Sequence, residues 1–183
     1  MKNQQEAREQ QTREENAKKA KEAAEQLFPG EKWEAKEKGI YQSPHRRTGK
    51  KTNYADELRD AQILRDMGST VYLAPEQRNR EGKKYDAIVN GLKMEFKNQH
   101  GVSVLTLKDH FLDSREQAPN VFINLENSPL TKRQIIRTLY AARNSEDYAK
   151  KSKKFSGGQI ILKINGQKNL VYLNVADLEV PGQ

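Results

Sequence analysis

The sequence predicts an α/β domain, a mixed sheet flanked by helices, with an extended N-terminal helix and a C-terminal hairpin. Three observations carry that expectation. Helical periodicity recurs at 53–67, at 106–117 and from Thr131 onward. Short runs rich in β-branched and aromatic residues lie between those stretches. Two Asn-Gly pairs, 90–91 and 165–166, each separate two such runs. Helices and strands alternating in one chain imply helices packed on a sheet.

Residues 1–30 read as a charged helix or linker of Glu, Gln, Lys, Arg and Ala, ended by Pro29-Gly30. Few large apolar residues precede Leu27 and Phe28, so this helix is expected to stand exposed, as a tether or a partner-binding arm. Residues 31–52 read as a basic loop anchored by Trp33 and Tyr41, and 53–178 as the folded domain, with 179–183 a tail. Its first helix, 53–67, aligns Tyr54, Leu58, Ala61 and Leu64 on one stripe and stops at Gly68. A strand over Ser69–Ala74 follows, then a basic loop from Gln77 to Lys84. Strands Tyr85–Val89 and Leu92–Lys97 turn at Asn90-Gly91, where a type I′ turn needs positive φ at both residues. A helix over Thr106–Gln117 leads to the strand Asn120–Leu125, and Thr131 caps a helix bearing Ile135, Ile136, Leu139 and Tyr140. Lys150–Lys154 reads as a solvated stretch, and strands 159–164 and 169–174 close the chain.

Composition narrows the classes. The 183 residues are 34% hydrophobic and 32% charged, which leaves a modest core under a highly charged surface. Absence of cysteine excludes disulfides, thiolate metal sites and a Cys nucleophile. No apolar run is long enough to span a bilayer, and MKNQQEAREQ lacks the apolar stretch of a signal peptide, so a cytoplasmic site of action is expected. Net charge is +8; residues 1–28 balance six Lys/Arg against six Glu, so the excess lies beyond them. Such a domain suits a polyanionic partner.

The first hairpin carries the chemistry. Its two-residue turn sets Asp86 across from Glu95, and period two places Tyr85, Ala87, Val89, Leu92, Met94 and Phe96 on one face. The other face takes Asp86, Ile88, Lys93, Glu95 and Lys97. Facing carboxylates destabilise a sheet unless something compensates them. A hard divalent cation does so, and Mg²⁺ (or Mn²⁺) needs only one or two carboxylates. Lys97, two residues on from Glu95, can steady an attacking water or offset charge on a phosphate. The alternative is a plain amphipathic hairpin with these charges in water.

Asp86, then Glu95-Phe96-Lys97, resembles the signature of the PD-(D/E)xK nuclease superfamily, although Tyr85 stands where that family has proline. The order helix–strand–strand–strand–helix–strand over 53–125 is similar to its restriction-endonuclease-like core. The resemblance implies metal ligation by Asp86, Glu95 and Glu57, with Lys97 and Gln117 completing a catalytic set and Glu76 near the metal. VYLAPE, KYDAIVNG, MEFKN and QAPNVFINL further resemble C-terminal toxin domains of contact-dependent growth inhibition systems, some of which cleave tRNA. That likeness implies a toxin acting on RNA, first of all tRNA, with DNA second, delivered to a target cell and matched by a cognate immunity protein.

Phosphate contacts are expected from Arg46, Arg47, Lys50, Lys51, Arg78, Arg80, Lys83, Lys84, Arg133 and Arg137. His100 and His110 titrate near neutrality but lack a partner at telling spacing. Two readings compete with a metal-dependent nuclease. One is a metal-independent ribonuclease toxin of the barnase or colicin type; the other is a basic module that binds nucleic acid without cutting it.

Overall fold

The computed structural model describes residues 2–46, 53–75, 85–153 and 155–179, with side chains from residue 4. The described residues form five helices and eight strands that pair both parallel and antiparallel, an α/β arrangement. The chain divides into two compact units. The first takes Met1–Arg80 with Asp86–Lys93, and the second Glu81–Tyr85 with Met94–Gln183.

In the first unit, α1 (Lys2–Leu27) precedes strands β1 (Glu34–Glu37) and β2 (Ile40–Gln42), helix α2 (Tyr54–Asp66), and strands β3 (Val71–Leu73) and β4 (Ala87–Val89). β1 pairs antiparallel with β2, β2 parallel with β3, and β3 antiparallel with β4. Residues 31–52 were expected to be loop, yet they supply the β1–β2 hairpin, with Gly39 at φ 80° in its turn. The strand EAKE is exposed at three of its four positions, and an edge strand of charged residues carries no apolar alternation to betray it.

The expectation of an exposed N-terminal helix is also corrected. Ala20 and Ala24 are wholly buried, and α1 packs on β3 and β4. Alanine lets the backbone come close: a Cβ placed on Gly91 would lie 3.2 Å from the Lys19 carbonyl oxygen. Up to about residue 15 the helix is exposed all round, and beyond it Lys18, Lys21, Glu22 and Glu25 keep an exposed outer face. Beyond the helix, Phe28 meets Trp33 edge-on at 5.9 Å, Trp33 meets Tyr72 at 5.1 Å, and Tyr72 stacks on Tyr41 at 4.6 Å. Burial above all pushes the Tyr72 phenol up to about 12.

The Asn90-Gly91 turn forms as expected, with φ 50° and 89°. Asn90 also braces the start of β3, its Oδ1 accepting from the Thr70 amide at 2.8 Å. β4 is shorter than expected, because Asp86 lies in a bend before it. Every residue of β3 and β4 is buried, Ile88 included, although Ile88 was assigned to the polar face. Both faces of these strands are therefore covered, with α1 and α2 packing on the sheet.

Strand β5 (Leu92–Asn98) continues from the turn and belongs to the second unit from Met94 on. Helix α3 (Val104–Gln117), strand β6 (Asn120–Leu125), helices α4 (Lys132–Arg143) and α5 (Glu146–Lys151), and strands β7 (Gln159–Ile164) and β8 (Val171–Asn174) follow. β5, β6 and β7 run parallel, and β8 is antiparallel to β7. All six residues of β6 are buried. One face builds a core from Val121, Ile123 and Leu125 with Leu107 and Phe111 of α3 and Ile135 and Leu139 of α4. Thr131 caps α4 as expected, in a capping box with Gln134. The last hairpin turns through residues 165–170, a longer connection than its Asn-Gly pair suggests, with Gly166 at φ 72°.

Candidate active site

The first unit gathers two of the expected carboxylates. Glu57 lies in the first turn of α2 and is half-buried, and Asp86 sits in the bend before β4. The two share a side-chain hydrogen bond, and the Arg46 guanidinium lies against Glu57. Burial pushes the Glu57 carboxyl above the usual range; the Arg46 charge opposes that shift and the Asp86 charge adds to it. Arg46 was expected to meet phosphate from the surface. Instead it is 8% exposed and also donates to the carbonyl oxygens of Ala74 and, at 3.1 Å, Asp86.

In the second unit, Glu95 and Lys97 share one face of β5, registered with Val121 and Ile123 of β6. Met94 and Phe96 take the other face, Phe96 meeting Phe122 edge-on at 5.9 Å. The alternative of charges left in water fails at Glu95, which is 4% exposed. Lys97 Nζ donates to Glu95 Oε1 at 2.8 Å. His110 of α3 is held below the ordinary imidazole value, by burial first and then by the charge of Lys97. Gln117 is half-buried at the last position of α3, while His100 is exposed. Arg133 and Arg137 stand exposed on α4. Arg47, Lys50, Lys51, Glu76, Arg78, Arg80, Lys83, Lys84 and Lys154 lie outside the described residues.

A buried ion pair contributes little net stability, because desolvation cancels much of the attraction. Its presence on a parallel strand therefore asks for another reason than folding. Carboxylate oxygens are hard donors suited to Mg²⁺, and a carboxylate pair is enough where water completes the shell. Among the described residues, no group of three or more His, Asp or Glu stands ready to hold an ion. A pair such as Glu57 and Asp86 would hold such an ion only with water completing its shell.

Several buried polar groups escaped the sequence reading. Asp60, one turn after Glu57, is fully buried. Arg115 is too, its guanidinium donating to Pro119 O at 2.9 Å and Gly157 O at 3.2 Å beside the Phe111 ring, and burial pushes its pKa down to about 10. Gln99 ties the end of β5 to the Ser103 cap of α3 through Gly101 O and Ser103 O. Charged and amide residues read as surface in a sequence. Only spacing such as Asp86–Glu95–Lys97 sets a few apart.

No helix among the described residues is long and apolar enough to cross a membrane. No protein-family model and no curated protein matches the chain. Among solved structures, it is similar to a "CdiA-CT/CdiI toxin and immunity complex from Burkholderia pseudomallei", at 17% identity and a TM-score of 0.49, over 73% of this chain and 97% of that one.

Proposed function

We propose that the protein is a metal-dependent nuclease of toxin type, hydrolysing phosphodiester bonds in RNA, with tRNA the first substrate to test and DNA the second. The observation that carries this reading is the buried Glu95 paired with the half-buried Lys97 within Glu95-Phe96-Lys97, since a desolvated carboxylate beside an ammonium at this spacing suits phosphoryl chemistry better than folding. Mg²⁺ or Mn²⁺, when bound, would polarise the phosphate and make water a better nucleophile. Glu57 and Asp86, paired in the first unit, serve as ligands with water completing the shell, and Glu95 is the further ligand that the sequence resemblance implies. Lys97 orients the attacking water and offsets charge on the phosphoryl oxygens. Gln117 supplies a neutral donor for the same water. Arg133 contacts the phosphate backbone away from the reacting bond. Charge of +8 also suits an acidic immunity protein as partner, and the toxin reading puts the site of action in the cytoplasm of a target cell.

The test is incubation of purified protein with total RNA and plasmid DNA, with Mg²⁺ and with EDTA, beside Glu95→Gln and Lys97→Met. Cleavage lost on chelation and in both variants supports the reading. Cleavage that survives EDTA removes the metal. Nucleic acid bound but uncut under every metal removes the enzyme.

A further inference from the structure

We propose that Arg46 is a positioning residue of this site, whose guanidinium holds Glu57 and the backbone at Asp86 in the attitude required to receive a divalent cation. The inference rests on the metal-dependent reading above and concerns residues of the first unit alone.

The geometry argues against both simpler roles. A phosphate contact needs a guanidinium fork facing solvent, whereas Arg46 is 8% exposed and both its terminal nitrogens are committed. One donates to Glu57; the other donates to the carbonyls of Ala74 and Asp86. Plain charge neutralisation would require only proximity to the carboxylates. Arg46 instead grips one ligand by its side chain and the other through its own carbonyl. Ala74 N also donates to Asp86 O at 2.9 Å, so the guanidinium sits where β3 ends and β4 is about to begin. A five-donor planar group can serve three acceptors in fixed directions; an ammonium cannot reproduce that fork.

The chain is also built to deliver Arg46 there. Ser43, fully buried, bonds its amide to Leu73 O, accepts from the His45 amide at 3.0 Å, and donates its hydroxyl to Glu31. His45 Nδ1 lies 3.0 Å from the same Glu31 oxygen. Arg46 N then closes the turn on Ser43 O at 3.1 Å. Glu31, Ser43 and His45 thus brace a four-residue turn whose last side chain enters the carboxylate pair.

The sign of one measurement separates the roles. Removing a positive charge beside two carboxylates should tighten cation binding by Coulomb's law alone. Loss of a clamp should loosen it, and outer residues that orient metal ligands typically contribute about 10–100-fold in affinity. The experiment titrates Mn²⁺ into the full chain, followed by electron paramagnetic resonance, for wild type, Arg46→Met, Arg46→Lys and Ser43→Ala, with circular dichroism as the check on folding. Both Arg46 variants are expected to bind about 10–100-fold more weakly, with Ser43→Ala between them and wild type. Arg46→Lys, which keeps the charge, decides the matter if Arg46→Met fails to fold. In cleavage assays kcat should fall with KM nearly unchanged. Wild-type affinity in Arg46→Lys, equal or tighter binding in Arg46→Met, or a raised KM with metal affinity intact, each overturns the inference. A wild type that binds no Mn²⁺ overturns the metal reading itself.

Discussion

Replacing Lys97 by methionine tests whether the acid–lysine pair is kept for chemistry at the expense of stability. Glu95 is 4% exposed and accepts from Lys97 at 2.8 Å, so the substitution removes the ammonium while leaving the acid in the interior. Breaking a buried pair from one side costs about 3–5 kcal/mol. The Lys97 side chain keeps 18% exposure, which places the expected loss near the lower end, about 3 kcal/mol. Exchanging both partners, Glu95→Leu with Lys97→Met, removes the desolvation along with the attraction and should return most of that loss, or leave the protein more stable than wild type. The assay is urea unfolding in EDTA, all variants at one pH. With a slope near 2 kcal/mol per molar urea, the single variant should lower the midpoint by about 1.5 M. A shift below about 0.5 M, or a double variant at least as fragile as the single one, would refute the claim that this pair costs stability. Both variants should lose cleavage.

Gly158→Ala should destabilise by about 2–4 kcal/mol, because φ is 118° there and a Cβ would meet Pro119 O at 1.8 Å; an unchanged melting temperature would contradict that contact. His110→Gln should flatten the pH dependence of melting. Its imidazole is held below its ordinary value of 6.5, so the unfolded chain takes up a proton first as pH falls, and the stability tied to the neutral ring is present above 6.5 and lost on acidification. Parallel melting curves from about pH 7 to pH 5 for variant and wild type would count against it. Ala24→Glu puts a charge into a fully buried contact and should release α1 to limited proteolysis, while Glu9→Ala on its solvated end should not; equal digestion of the two would contradict the docking.

What the sequence disclosed follows from how strongly each local signal constrains the backbone. Asn90-Gly91 fixed a turn because few residues tolerate positive φ, and Thr131 with Gln134 fixed a helix start through reciprocal bonds. The run Asn120–Leu125 is buried along its whole length, and its β-branched and aromatic Val121, Phe122 and Ile123 marked it correctly. The hairpin at β1–β2 was invisible, because pairing at a charged edge rests on backbone hydrogen bonds that no side chain announces. Helix α1 misled for a related reason: alanine contributes little apolar area, yet it permits an approach that larger residues forbid. At the site, Glu95 and Lys97 were marked by spacing and stand paired on one strand. Arg46 and Arg115 looked like surface cations and are interior ones. Burial of a charge depends on acceptors distant in the chain, such as Ala74 O for Arg46 and Gly157 O for Arg115.

The alanine-lined helix limits how this chain can be shortened or grafted. With Ala20 and Ala24 seated on β3 and β4, cutting after residue 30 would strip cover from Tyr72 and Ile88, not trim a spacer. A bared apolar sheet face recruits neighbours, so such a fragment should precipitate or pair with itself. Fusion boundaries therefore belong upstream, among the solvated residues before about 15, where a foreign sequence can be joined without unroofing the sheet.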